Sequence, residues 1–539
     1  PILSKRIGEK NSKIIYSDNG VKEVKTARHE KNNFSLSDKQ IVELATYVKD
    51  LEESYSKMFN KKLGVDVEWA LDGLDNKLYI IQTRPETVHS NKDIILEKYK
   101  LLEKSNILIK GVAVGEKIST GKVKALKDIS EFKRFNENDI LVTSMTTPDW
   151  EPIMKKSSGI ITDKGGRTCH AAIVARELGI NAIVGTTNAS KLLKNDIDVT
   201  LSCSEGEVGN VYDKKLKFEI EKLKIDNNKK LPVKLMLNVG SPELAFTSSL
   251  VPNSGVGLAR LEFIINNYIK VHPLALLDYP NIRKDIKTKI KELLGSETNK
   301  HNFFIKKLAK GIAKIASAFN NNDVIVRLSD FKSNEYKNLI GGELYEPDEE
   351  NPMIGWRGAS RYYSDDYSKA FALECEAIKY ARRDMGFENI IVMIPFCRTP
   401  EECKRVLEEM KKHDLERKKY GLKVYLMCEI PSNVIEADKF APYVDGVSIG
   451  GNDLLQLTLG VDRDSDKISY LSNHTNLSYR RMIKTSIETY KKYGVKVGFC
   501  GQQPSDSVEF CEFLVNSGID SISVTSDASI KTYQKLSNM

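Results

Sequence analysis

The stretch Val424-Tyr425-Leu426-Met427-Cys428-Glu429-Ile430 is an apolar run with a single carboxylate near its end. A run of this length and composition predicts a strand that is buried on both faces of a sheet. Similar runs recur from Lys234 to the end of the chain, with helical segments between them. The predicted strands are residues 235–239, 255–261, 324–328, 390–396, 424–430, 446–451, 496–500 and 521–524. Eight strands alternating with helices predict a (β/α)8 barrel of the TIM type.

Polar side chains that could carry chemistry stand where these predicted strands end. In a barrel of parallel strands, all such ends open on one face, and that face is where active sites are built. One such residue could be chance, but a set of types that suits one reaction is harder to dismiss. The candidates are Arg260, Arg327, Glu429, Asn452, Asp453 and Cys500.

A second informative stretch lies upstream, where the pair Gly165-Gly166 leads into His170 and an amphipathic helix. This order places an imidazole beside the free N–H groups at the positive end of a helix dipole, which suits a phosphate carried on the ring. The helix end also disfavours the imidazolium form and keeps the ring neutral and nucleophilic. Gly179 is placed to end the helix. The alternative is a partly buried histidine in a loop.

Length and composition limit the possible classes of protein. The 539 residues predict more than one domain, and 29% charged with 41% apolar residues is typical of soluble globular chains. The 82 cations are interspersed with 74 anions, which disfavours a nucleic-acid-binding protein. No apolar run reaches membrane-spanning length, so no membrane partner is expected. The eight cysteines contain no CxxC pair, so we expect a cytoplasmic protein without a zinc knuckle.

The remaining sequence predicts the domain organisation. Residues 37–60 are predicted to be helical, and residues 65–73 and 77–85 form a predicted hairpin with its turn at 72–76. Two charged stretches, 91–110 and 214–230, are predicted to be helical linkers. The predicted divisions are an N-terminal block at 1–92, a linker at 93–112, a small α/β domain around His170 at 113–213, a linker at 214–233 and the barrel at 234–539.

Six motifs resemble those of the PEP-utilising enzymes, and the resemblance covers essentially the whole chain. They are TPDWEP at 147–152, GGRTCHAA at 165–172, VRLSDFKSNEY at 326–336, NPMIGWRG at 351–358, MCEIPSN at 427–433 and CGQQPSD at 500–506. The first two and the last resemble the phosphoenolpyruvate (PEP) synthase branch more than pyruvate phosphate dikinase or enzyme I of the sugar phosphotransferase system.

The resemblance implies conversion of ATP, pyruvate and water to AMP, phosphate and PEP through a phosphohistidine on His170. The domain around His170 would swivel between a nucleotide site and the barrel. It implies phosphate and carboxylate clamps, a Mg²⁺ site, a PEP-binding amide and a thiol that moves a proton at the methyl carbon of pyruvate. An unperturbed thiol, with a pKa of about 8.5, could serve as both acid and base; a small buried hydrophobe is the alternative. The implied residues are Arg260, Arg327 and Arg357 as clamps, Glu429 and Asp453 as Mg²⁺ ligands, Asn452 as the amide and Cys500 as the thiol.

The resemblance also implies that residues 1–92 are the C-terminal remnant of an ATP-grasp domain, with Glu68 as a metal-binding carboxylate and Gln82 and Arg84 near the ATP phosphates. On this interpretation the chain is N-terminally truncated and retains only the half-reaction between PEP or pyruvate and the histidine. A homo-oligomer is implied, as a dimer through the barrel or larger. Gly451 and Leu455 depart from the family, where a small hydroxyl residue and Thr are usual. The alternative function is a homologue that mainly forms a large assembly with weak or no turnover.

Overall fold

A computed structural model describes residues 1–3, 5, 7–18, 20–61, 63–86, 94–166, 169–205, 208–225, 229–295, 297–320, 322–462, 465 and 467–539. Arg167 and Thr168, which belong to the motif before His170, lie outside the described residues. The chain divides into two compact units, Pro1–Asp93 and Ile94–Met539.

The first unit contains two hairpins and one long helix. Its elements are β1 (Ser12–Ser17), β2 (Gly20–Lys25), α1 (Arg28–Lys31), α2 (Asp38–Met58), β3 (Val65–Leu71) and β4 (Leu78–Pro85). β1 pairs with β2 and β3 pairs with β4, both antiparallel. The helix begins at a capping box, in which the Gln40 N–H donates to Ser37 Oγ (3.3 Å) and the Ser37 N–H donates to Gln40 Oε1 (2.9 Å). The predicted helix and hairpin of this block are confirmed.

The second unit opens with β5 (Ile94–Leu101) and continues into a closed barrel, here called the small barrel. Its elements are β6 (Ile107–Val114), β7 (Ile118–Ala125), β8 (Ile140–Thr143), α3 (Glu151–Met154), β9 (Gly159–Thr162), α4 (His170–Leu178), β10 (Asn181–Val184), α5 (Ala189–Leu192), β11 (Asp198–Ser202) and β12 (Val208–Asp213). The strands close in the order β10-β6-β12-β11-β7-β8-β9. Ala171, Ala172 and Ala175 of α4 share a buried cluster with Leu141 and Ile160, which packs the helix onto these strands.

A two-stranded ribbon flanks the small barrel, formed by β5 and β13 (Phe218–Ile225), which pair antiparallel with Leu101 opposite Phe218. The prediction that residues 91–110 and 214–230 are helical linkers is therefore wrong for the strand residues. Apolar and charged residues alternate from Phe218 to Glu221, and that period of two favours a strand over a helix. Lys100 and Glu219 form an ion pair of 3.3 Å across the ribbon.

The rest of the chain forms the large barrel, and the prediction of a (β/α)8 fold is confirmed. Within the described residues, eight strands pair parallel and close on themselves: β14 (Lys234–Val239), β15 (Gly255–Arg260), β16 (Asp323–Arg327), β17 (Ile390–Ile394), β18 (Val424–Cys428), β19 (Gly446–Ile449), β20 (Lys496–Phe499) and β21 (Ser521–Val524). Each of them coincides with a predicted strand to within two residues, because strands buried on both faces give continuous apolar runs.

Helices lie between these strands. They are α6 (Ala245–Ser248), α7 (Leu261–Ile264), α8 (Pro273–Leu277), α9 (Lys284–Leu294), α10 (Lys300–Ala318), α11 (Ser333–Lys337), α12 (Ala359–Tyr362), α13 (Ser368–Lys379), α14 (Pro400–Lys412), α15 (Pro431–Ile435), α16 (Ala437–Phe440), α17 (Gly451–Leu459), α18 (Leu477–Lys492), α19 (Gln503–Asp506), α20 (Val508–Asn516) and α21 (Ser526–Leu536). In the described part of the chain, none of the helices has the length and apolar character needed to cross a membrane.

Side chains fill the interior of the large barrel. One buried cluster contains Met236, Ile325, Met393, Tyr425 and Cys500. A filled interior leaves the mouth formed by the carboxyl ends of the strands as the place for a site.

Candidate active site at the mouth of the large barrel

A cavity of about 810 Å³ lies between the small barrel and the mouth of the large barrel. It brings together His170, the residues predicted at the strand ends and Arg357, which the family resemblance added. These are His170, Arg260, Arg327, Arg357, Glu429, Asn452, Asp453 and Cys500. Residues from seven separate stretches of chain thus face one volume, which is the arrangement expected of a catalytic site rather than of scattered surface pairs.

His170 is the first residue of α4, and its Nδ1 lies 2.9 Å from Thr146 Oγ1. When Nδ1 carries the proton and donates to that hydroxyl, Nε2 presents the lone pair needed for attack on phosphorus. Gly179 ends the helix with φ of 67°, in the left-handed region, as predicted.

The environment of His170 keeps its ring neutral. Burial between the two barrels, followed by the positive charge of Arg260, lowers the pKa of His170 to about 4. A neutral ring was also predicted from the position of His170 at the helix end. In the structure, the loss of water around the ring and the positive charge of Arg260 both disfavour the imidazolium.

Two of the three predicted arginine clamps are held by carboxylates. Nη2 of Arg327 lies 3.0 Å from Glu262 Oε1, and its Nη1 lies 3.2 Å from Asp330 Oδ2. Arg357 forms a bidentate pair with Asp330, in which Nε lies 3.0 Å from Oδ1 and Nη2 lies 2.5 Å from Oδ2. Its Nη1 lies 3.3 Å from Asp453 Oδ1. These carboxylates hold both guanidinium forks at fixed positions before any anion arrives.

Glu262 and Asp330 are functional candidates that the reading of the sequence missed. Each follows a strand-end arginine by two or three residues, Arg260 in one case and Arg327 in the other. That spacing is a usable signal. The pairing itself depends on β15 and β16 lying side by side.

Glu429 and Asp453 form an acidic pair in the cavity. Glu429 is fully buried; its Oε1 accepts a hydrogen bond from the Phe396 N–H (2.8 Å), whereas its Oε2 has no hydrogen-bond partner. Burial, and then the negative charges of Asp453 and Asp330, raise the pKa of Glu429 above its usual range. A buried carboxylate oxygen without a partner is costly unless a cation or proton reaches it.

These two carboxylates fit a Mg²⁺ site, since the ion takes oxygen ligands and is commonly held by one or two carboxylates, with water and substrate oxygens completing its shell. No group of three or more His, Cys, Asp or Glu side chains placed to hold a metal occurs among the described residues. A site on this pair would therefore depend on ligands supplied by substrate or solvent.

Cys500 follows β20 directly, with its Sγ 3.6 Å from the Ile449 carbonyl oxygen. Burial raises the pKa of the thiol to about 11, and the charge of Glu429 acts in the same direction. The expectation of an ordinary thiol pKa is wrong, because the side chain lies among the apolar residues of the barrel interior. At neutral pH the resting group is a thiol that can donate a proton.

Two glutamines, separated from Cys500 by Gly501, were not predicted. The Oε1 atoms of Gln502 and Gln503 are buried without hydrogen-bond partners, and Gln503 Nε2 donates to Asn452 Oδ1 at 3.4 Å. Gln502 lines the cavity. Their position two and three residues after Cys500 is the signal that could have identified them.

Gly451, one of the two departures from the family, occupies a place where a larger residue does not fit. A Cβ atom there would lie 2.4 Å from the Phe499 ring and 2.7 Å from the Tyr479 hydroxyl oxygen. The neighbouring side chains therefore fill the space of the missing hydroxyl. The other departure, Leu455, is buried.

The three predicted nucleotide-site residues lie in the first unit. Glu68 and Gln82 stand opposite each other on β3 and β4, and both are exposed. Arg84, also exposed, pairs with Asp66 through Nη2 at 2.7 Å. The structure therefore places them on one hairpin.

Comparison with known proteins covers nearly the whole chain. Residues 1–101 match the AMP/ATP-binding domain of pyruvate phosphate dikinase, residues 135–206 the mobile domain of PEP-utilising enzymes, and residues 215–539 their PEP-binding domain. The phosphoenolpyruvate synthase of Aquifex aeolicus is 48% identical over 98% of this chain and 68% of its own length. Those of Helicobacter pylori and Escherichia coli are 48% and 46% identical over 100% of this chain and 68% of their lengths.

The fold and these matches define an enzyme of the PEP-utilising class. Within that class the chain belongs to the phosphoenolpyruvate synthase family. The match of residues 1–101 to the AMP/ATP-binding domain does not support the prediction of an N-terminal truncation.

Proposed function

We propose that this chain catalyses phosphoryl transfer between PEP and His170, as part of the conversion of ATP, pyruvate and water to AMP, phosphate and PEP. The observation that carries the proposal is that His170 shares one cavity with Arg260, Cys500 and the pair Glu429 and Asp453. A neutral imidazole, fixed cations and buried carboxylates are what transfer of an anionic phosphoryl group requires.

The arginines bind and orient the substrate. Arg260 acts electrostatically on His170, so its positive charge lies near the path between the ring and the mouth of the barrel. Arg327 and Arg357 are held by Asp330 and present their remaining N–H groups to the carboxylate and phosphate of PEP. The Asn452 amide adds a neutral hydrogen-bonding group.

Glu429 and Asp453 are proposed as the residues that hold Mg²⁺. When bound, the ion would neutralise charge on the enolate and on the phosphoryl group. The unpartnered Oε2 of Glu429 supports this assignment. Glu429 also accepts a hydrogen bond from the N–H of Phe396, which follows β17, and this bond orients its carboxylate.

Cys500 is proposed to move the proton. As PEP gives up its phosphoryl group, the enolate of pyruvate forms, and the protonated thiol donates its proton to the methylene carbon, leaving a thiolate and pyruvate. In the direction of PEP formation, the thiolate takes a proton from the methyl group. Because burial raises the pKa of the thiol, Cys500 carries its proton in the resting enzyme and can serve as the acid.

The first unit is proposed to carry the nucleotide, with Gln82 and Arg84 near its phosphates and Glu68 as a carboxylate that would bind its metal ion. That the chain carries only the half-reaction of PEP stays a prediction, which the formation of AMP from ATP and pyruvate would contradict. A cytoplasmic homo-oligomer is proposed as well, and mass measured by light scattering tests its order. Neighbouring side chains fill the space beside Gly451, so the glycine is part of a packed site. It is therefore no evidence for the alternative of an assembly without turnover.

Labelling by PEP tests the proposed function. With Mg²⁺ present, radioactive PEP should label His170, and the label should be acid-labile and base-stable, as a phosphoramidate is. His170→Ala should take up none, whereas His301→Ala, which changes an exposed histidine of α10, should label as the parent does. Equal label on His170→Ala and the parent would show that the relay is assigned to the wrong residue.

A further inference from the structure

The helix that begins with His170 is tied to the large barrel by an ion pair. Nη2 of Arg176, in the last turn of α4, lies 2.9 and 3.2 Å from the two carboxylate oxygens of Asp506. The Arg176 side chain is 2% exposed and that of Asp506 18%. Asp506 ends α19, in the segment that follows Cys500. The pair thus joins the element that carries the phosphate acceptor to the element that follows the thiol.

Three further contacts join the small barrel to the large barrel. Glu151, which is buried, accepts a hydrogen bond from Asn267 Nδ2 at 2.7 Å. Phe263 of the large barrel packs against the core cluster that holds α4 on the small barrel. At the exposed rim, Lys531 of α21 forms an ion pair with Glu116 of the small barrel. Of these contacts, only Arg176 with Asp506 sets two opposite charges against each other with one of them almost fully buried.

Because the Arg176 guanidinium is almost fully buried, the ion pair favours one placement of α4 against the large barrel. Removing one member of a largely buried ion pair is strongly unfavourable, because the remaining charge loses this partner. A small displacement of α4 would leave the Arg176 guanidinium both out of water and out of reach of Asp506. The arginine lies six residues from His170 along the helix, about 9 Å of axial rise, so fixing one end of α4 fixes the imidazole at the other.

We propose that the Arg176–Asp506 ion pair is a latch that positions His170 against the mouth of the large barrel. This inference rests on the proposed function and names the residue that sets its geometry. Arg176 acts through the helix and is not among the described residues that line the cavity, so it is a positioning residue. Loss of the latch should reduce transfer to His170 and leave the chemistry at the large barrel intact.

Carbodiimide cross-linking tests the latch independently of any activity. The reagent joins Lys531 to Glu116 only when the two barrels are in contact, and it joins Lys535 to Glu512 within the large barrel as an internal control. In Arg176→Gln we expect the first cross-link to fall about tenfold and the second to stay constant, as mass spectrometry would measure. An unchanged ratio of the two would overturn the proposal.

Kinetics provides the second test. Arg176→Gln should slow labelling of His170 by PEP about tenfold or more, while Mg²⁺-dependent exchange of pyruvate methyl protons continues at the parent rate. Asp506→Asn should slow labelling similarly, and the double variant should be no slower than the slower single variant. Lys124→Gln, which removes a pair with Asp196 inside the small barrel, is the matched control.

These outcomes separate the latch from the function. An unlabelled parent protein would refute the proposed function, and the cross-linking ratio would still decide on the latch. Parent-like labelling in both single variants, or additive losses in the double variant, would refute the latch. If Arg176→Gln does not fold, as circular dichroism would show, Asp506→Asn carries both measurements.

Discussion

At the scale of single residues, the site is organised by carboxylates as much as by cations. Asp330 holds Arg357 through both oxygens and reaches Arg327 as well, so one side chain orients two forks. The sequence identified Arg260 and Arg327 at the ends of predicted strands, and the family resemblance added Arg357 as a third clamp. It did not identify Asp330, whose role depends on the fold bringing the guanidinium groups of Arg327 and Arg357 to the same carboxylate.

Cys500 gives a prediction at this scale. Cys500→Ala should lower the exchange of pyruvate methyl protons with solvent by roughly a hundredfold or more, which is the usual contribution of a general acid or base. Cys511→Ala removes another buried thiol, which does not line the cavity, and should have no effect. Deuterium uptake measured by NMR decides, and parent-like uptake in Cys500→Ala would assign the proton to another group.

The pH dependence of the same exchange follows from the raised pKa of the thiol. The thiolate is the base, so its fraction in the free enzyme rises with pH until the pKa of about 11 is reached. Hence kcat/KM for exchange should increase about tenfold per pH unit between pH 7 and 9. A plateau in that range would show that the group acts with a pKa much closer to neutral.

At the scale of elements, the strands of the large barrel were predictable and the ribbon of β5 and β13 was not. The barrel strands are buried on both faces, so each one is a continuous apolar run that can be recognised without knowing which strands lie beside it. In the ribbon, lysine and glutamate interrupt the apolar residues, so no continuous apolar run marks either strand, and the two strands are far apart in the chain. The alternation of apolar and charged residues from Phe218 to Glu221 was the available evidence for a strand. The ion pair of Glu219 with Lys100 joins that strand to its partner.

The junction of α17 with β20 gives a second prediction. Because a Cβ at residue 451 would meet the Phe499 ring and the Tyr479 hydroxyl, Gly451→Ser should destabilise the protein by about 1–3 kcal/mol. It should lower transfer to His170 rather than raise it, although it restores the residue type usual in the family. Urea unfolding is the measurement, with Gly460→Ser at the open end of the same helix as a comparison; since Gly460 has φ of 62°, its cost is backbone strain without a clash. Higher activity in Gly451→Ser would contradict the close packing described.

At the scale of the whole molecule, the cavity that holds His170 is lined, among the described residues, entirely by the second unit. The residues predicted for the nucleotide lie on β3 and β4 of the first unit. The sequence could separate these two groups because their motifs lie far apart in the chain. It could not show that His170 would face the large barrel, since that depends on contacts between residues far apart in the chain, such as Arg176 with Asp506.

This division predicts that the PEP half-reaction is independent of the first unit. Glu68→Ala and Arg84→Ala change exposed side chains of a hairpin, so both variants should label His170 from PEP at the parent rate. Glu429→Ala and Asp453→Ala should abolish labelling while the circular dichroism spectrum stays unchanged, because residues at the mouth of such a barrel are not part of its stability core. Removal of Mg²⁺ by EDTA should have the same effect as these two substitutions. Labelling that persists in EDTA or in both carboxylate variants would refute the metal assignment, and labelling that depends on Glu68 or Arg84 would show that the first unit takes part in transfer from PEP.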